Sequence, residues 1–69
     1  MKINDRVMLG GELHKKFRGV IGIIIEVGDF MSGVIIIYSS ESNLKNGEIY
    51  DVSNKNLIIL QRTQKPQYL

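Results

Sequence analysis

The chain predicts an all-β fold of five short antiparallel strands, and three observations carry that expectation. β-Branched residues dominate its apolar runs, above all in Val34–Tyr38. Seven glycines are spread through the first 47 residues, which leaves no stretch that reads as a helix. Turn signals then punctuate the apolar runs at short intervals.

Taken in order, Ile3–Leu9 reads as the first strand and ends at the Gly10-Gly11 breaker. Glu12–Arg18 reads as a polar, basic loop, and Gly19–Val27 as the second strand, closed by Gly28-Asp29. The third strand spans Gly33–Ser39 and the fourth Gly47–Val52, with the polar run Ser40–Asn46 between them. Ser53–Asn56 has the length of one 3₁₀ turn. Leu57–Gln61 makes the fifth strand, and Arg62–Leu69, with the sole proline Pro66, reads as a flexible tail. Residues 1–61 thus form the expected domain.

The second and third strands are apolar on both faces. Regular pairing puts Ile21, Ile23, Ile25 and Val27 on one side of the second, with Val20, Gly22, Ile24 and Glu26 on the other. The third reads Val34, Ile35, Ile36, Ile37, Tyr38 without alternation. An antiparallel strand with one solvated face alternates instead. The second face therefore needs a cover, either a loop or the tail folded back, or another subunit. Val34, Ile35, Ile36 and Ile37 are the candidate interface residues.

Size and composition narrow the function classes. A chain of 69 residues holds one core. A domain this short buries only about 60% of the surface its unfolded chain exposes. Cysteine is absent, and His14 is the single histidine, so neither disulfides nor a zinc site are expected. No run approaches the ~20 apolar residues of a membrane span, and no signal peptide is apparent, which points to the cytoplasm. The net charge of +2 permits nucleic-acid binding without demanding it. Heavy use of Ile, Asn and Lys fits an AT-rich coding genome, such as that of a low-GC bacterium or its phage.

Five antiparallel strands, a long first loop and a 3₁₀ turn before the last strand describe an SH3-like barrel, with an OB-fold as the main competitor. Phe17-Arg18-Gly19-Val20-Ile21-Gly22-Ile23-Ile24 resembles the KOW motif of ribosomal proteins and transcription elongation factors. Asn4-Asp5-Arg6-Val7 looks like the Gly-Asp-x-Val opening of such domains, with Asn4 in the glycine's place. Gly19 would leave the basic loop with a positive φ, and Gly22 would mark a bulge or a close backbone approach. A second, fainter resemblance runs from Gly47-Glu48-Ile49-Tyr50-Asp51-Val52 to type II dihydrofolate reductases, which are tetrameric SH3-like barrels. Glu48 stands where that family has glutamine, and the surrounding pore segment has no clear counterpart.

The KOW resemblance implies a non-enzymatic nucleic-acid-binding module, with RNA the favoured partner. His14, Lys15, Lys16 and Arg18 would contact phosphates and Phe17 would stack on a base, while Tyr38 and Tyr50 could extend the stacking surface. Phe17 tucked into the barrel end and tyrosines capping the core are the plainer alternatives. No catalytic carboxylate pair, nucleophile with a base, or phosphate-cradling loop stands out, so no enzyme and no cofactor are expected. The competing reading is a protein-interaction module that acts through the apolar third strand or by homo-oligomerisation.

Overall fold

The computed structural model describes residues 1–11, 19–39 and 44–62. Five strands, β1 (Arg6–Leu9), β2 (Ile21–Glu26), β3 (Met31–Tyr38), β4 (Ile49–Ser53) and β5 (Leu57–Gln61), form one antiparallel sheet in the order β4-β3-β2-β1-β5. A 3₁₀ turn at Asn54–Asn56 joins β4 directly to β5. The sheet is open, with β4 and β5 as its two edges. Its strand order is compatible with a small barrel.

The boundaries follow local chemistry. β1 begins later than the apolar pattern suggests because Lys2–Asp5 forms a tight turn. The Asp5 N–H donates to the Lys2 carbonyl at 3.1 Å, and the Lys2 N–H donates back to Asp5 Oδ2 at 2.8 Å. Asn4 supplies the left-handed φ of 75° that this turn requires. β3 begins earlier than expected, at Met31, because Gly33 lies inside the strand instead of opening it. Gly33 pairs with both Glu26 and Asp51.

Gly19 takes a φ of 69°, and Gly22 sits where β2 and β3 approach too closely for a side chain. A β-carbon at Gly22 would collide with Val34 and lie 2.7 Å from the Ile35 carbonyl oxygen. The β2–β3 register slips beside it, between Ile21 and Gly22, and again between Ile24 and Glu26. Such irregularities bend a strand and increase its twist.

The core lies on one face of this sheet. Val7, Leu9, Val20, Ile24, Val34, Ile36 and Val52 are buried there, with Met1, Leu44, Tyr50, Leu57 and Ile59 packed against them. A single sheet buries one face this completely only by wrapping around it, and the two register slips between β2 and β3 supply bends for that purpose.

Candidate interaction face

With Val20, Gly22 and Ile24 turned inward, the remaining side chains of β2 point outward, and the pairing aligns them with their neighbours. Arg6 pairs with Gln61 and with Ile23, Ile23 with Ile35, and Ile35 with Ile49. One row of outward side chains therefore crosses all five strands, and three isoleucines fill its span from β2 to the β4 edge. A second row runs from Ile58 through Met8 and Ile21 to Tyr38. Exposure is high at the ends of the rows, at 60% for Ile49, 44% for Ile58 and 54% for Tyr38, while Ile23, Ile35, Met8 and Ile21 are half-buried. Ile25 and Ile37, the extra residues at the two register slips, are 37% and 39% exposed. Cross-strand pairs of β-branched residues stabilise a sheet locally, but isoleucine rows in water are the kind of contiguous patch that marks a contact surface.

The polar groups of this face sit towards its margins. Arg6 lies on β1. Glu26 and Asp51 flank Gly33 in the row at the far end of β2, β3 and β4. The apolar centre is thus bordered by one cation on one side and carboxylates on another.

Of the four candidate interface residues, Val34 and Ile36 belong to the core, fully buried beneath β3. Ile35 and Ile37 are the ones on the outer face. Tyr38 is exposed at the end of β3, whereas Tyr50 is half-buried opposite Val34 on the core side of β4. Val34, which Tyr50 pairs with, lies four residues from Tyr38, or roughly 13 Å along β3, so the two rings do not form one stacking surface. The Tyr50 hydroxyl instead donates to Glu48 Oε2 at 2.8 Å, which raises the phenol above its ordinary pKa of 10. The basic segment His14, Lys15, Lys16, Phe17 and Arg18 lies outside the described residues, as does the tail beyond Arg62.

A feature with no counterpart in the sequence reading is the tip between β2 and β3. Ser32, 2% exposed, donates to Asn54 Oδ1 at 2.6 Å, and Asn54 Nδ2 donates to the Gly28 carbonyl at 2.9 Å. The Gly28 N–H returns to Ser32 Oγ at 3.4 Å, and the Asn54 N–H holds the Phe30 carbonyl at 2.8 Å. This closed circuit fixes a tip on which Phe30 stands 83% exposed, beside Val27 and Met31. Only an aromatic in a Gly-Asp turn hinted at it; the partner Asn54 is 22 residues away from Ser32 in sequence.

No family model, curated protein or solved structure matches the chain. Among the described residues no helix is long and apolar enough to cross a membrane, and no three acidic or histidine side chains gather as metal ligands would.

Proposed function

We propose that this chain is a small SH3-like barrel of the KOW type that works as a binding module, burying the outer face of its sheet against another polypeptide. The observation that carries the binding role is the row Ile23–Ile35–Ile49, apolar on the side of the sheet away from the core. Removing apolar surface from water contributes about 25 cal/mol per Å², so a face of this composition favours burial wherever a complementary surface meets it. Support for the fold family comes from three places. Asn4, at φ 75°, stands where the KOW-type opening has glycine. Gly19 has the positive φ expected where the chain enters the second strand. Gly22 makes the close approach that bends it.

A photo-activated cross-linker placed at position 37 or 49, in the protein's native host, tests the binding role. Adducts heavier than the monomer from both positions, with none from position 55 on the 3₁₀ turn, are expected. Their absence from 37 and 49 alike would remove the proposal.

The second reading, an RNA-binding module acting through His14–Arg18, is favoured by one observation. Gly19 turns the chain directly from that basic segment into β2. Fluorescence anisotropy with labelled single-stranded RNA, at low and physiological salt, decides it. Binding that weakens with salt and with Lys15→Ala plus Lys16→Ala supports the reading, and no binding at low salt eliminates it.

A further inference from the structure

We infer that the β2–β3 tip is an interaction site of its own, at which Phe30 enters an apolar pocket of a partner protein whose rim carries lysine or arginine. The site is separate from the outer face and does not rest on the binding role proposed for that face. Phe30 is the most exposed large apolar side chain among the described residues. A single exposed apolar residue on a surface needs no explanation. This one has company and a foundation. Val27 and Met31 stand 45% and 51% exposed on either side of it in the chain.

The foundation is the backbone beneath. Ser32 and Asn54 tie Gly28 and Phe30 to the 3₁₀ turn through four hydrogen bonds. Gly28 admits no side chain, since a β-carbon there would collide with the Met31 carbonyl oxygen. A buried polar circuit thus holds an aromatic ring out in water. Aromatic anchors on a fixed support dominate protein interfaces, because little freedom is left to lose on docking.

Charge selects the partner. Asp29 precedes Phe30 in the turn, and Glu26 and Asp51 flank Gly33 in the last row that joins β2 to β3. All three carboxylates are exposed, and Lys55, next to Asn54, is the cation of this end of the 3₁₀ turn. A base stacked on Phe30 would bring phosphates among the carboxylates, which repel them. Insertion into lipid hydrocarbon would draw Asp29 in with the ring, at the cost of burying a carboxylate. A protein pocket with a cationic rim meets neither obstacle. Its lysines or arginines pair with Glu26, Asp29 and Asp51 at the margin, where such pairs orient the complex and speed its formation. Lys55 repels that rim, so the partner approaches from the carboxylate side and leaves position 55 uncovered.

A photo-activated cross-linker at position 31 in the native host, with Phe30 intact, is the test. One discrete protein adduct is expected, and its cross-linked peptide should adjoin lysine or arginine. Phe30→Ala should lower its yield roughly tenfold or more, and so should Glu26→Lys combined with Asp29→Lys. Ile35→Glu, on the outer face, should leave it unchanged. No adduct overturns the inference, as does an adduct indifferent to Phe30→Ala or to the charge reversals. Loss of the adduct in Ile35→Glu would merge the tip with the outer face and equally overturn a separate site. Purified chain mixed with phosphatidylcholine vesicles should not co-sediment; co-sedimentation that Phe30→Ala abolishes would assign the tip to membranes instead. An adduct from position 31 with none from 37 and 49 keeps the tip site and removes the role of the face, and the reverse pattern does the opposite.

Discussion

Asn4 holds φ at 75°, a conformation that costs most residues with a β-carbon roughly 1–2 kcal/mol. Asparagine tolerates it better than most, and glycine adopts it without steric cost. The turn it closes also buries Asp5, whose carboxylate accepts from the Lys2 N–H. The Asn4 N–H and Asp5 carbonyl then pair with Ile24, so this one turn attaches the N-terminus to the centre of β2. Asn4→Gly is therefore expected to leave the urea midpoint unchanged or raised, and Asn4→Val to lower stability by about 1–2 kcal/mol. Equal midpoints for the two variants would show that the turn relaxes to another conformation at no cost. Asparagine and glycine answer the same backbone demand at this position.

At the scale of elements, legibility depended on whether a signal was local. β5 lies where its apolar run predicts, Leu57–Gln61, because a polar stretch with turn chemistry precedes it and charge follows. The start of β3 was misplaced because a glycine next to a serine reads as a breaker. Within the sheet, Gly33 is paired on both sides, and Ile25 and Glu26 of β2 pack beside it. Which face of β2 turns inward was not decidable from alternation, since both faces are apolar. It is set by Gly22, whose missing side chain admits Val34 and so faces the core. The circuit of Ser32, Asn54 and Gly28 was invisible for a different reason, being a contact between the β2–β3 tip and the 3₁₀ turn. Asn54→Ala removes a donor and an acceptor at once and leaves Ser32, buried, without its acceptor. A loss of about 1–3 kcal/mol is expected. Asn54→Asp keeps an acceptor for Ser32 but sets a carboxylate oxygen against the Gly28 carbonyl, so it should not restore the circuit. If the two variants melt together with wild type, the circuit contributes nothing to holding the tip.

For the whole molecule, two apolar faces on one small sheet pose a question of allocation. Among the described residues the inward face supplies seven buried apolar side chains, none larger than isoleucine or leucine. A core in a domain of this size rarely provides more than about 3–5 kcal/mol of net stability. The outer isoleucines add the modest contribution of their cross-strand pairs, and more only if their exposed surface is covered. If they are buried by a second copy, folding and association are linked, because the dimer exists only for folded chains. Each tenfold rise in protein concentration then adds about 0.7 kcal/mol per chain. For a domain of this length that corresponds to a rise in Tm of roughly 3–6 °C. Calorimetry over a hundredfold concentration range reads the effect directly. A Tm independent of concentration is expected of the native chain, because a sheet wrapped around its core is convex outside and two such faces touch over little area. The inward face then holds the fold alone, and the outer rows are a surface kept for a partner that the purified protein lacks. A Tm that rises with concentration, and a rise that Ile35→Glu abolishes, would instead assign the outer rows to self-association.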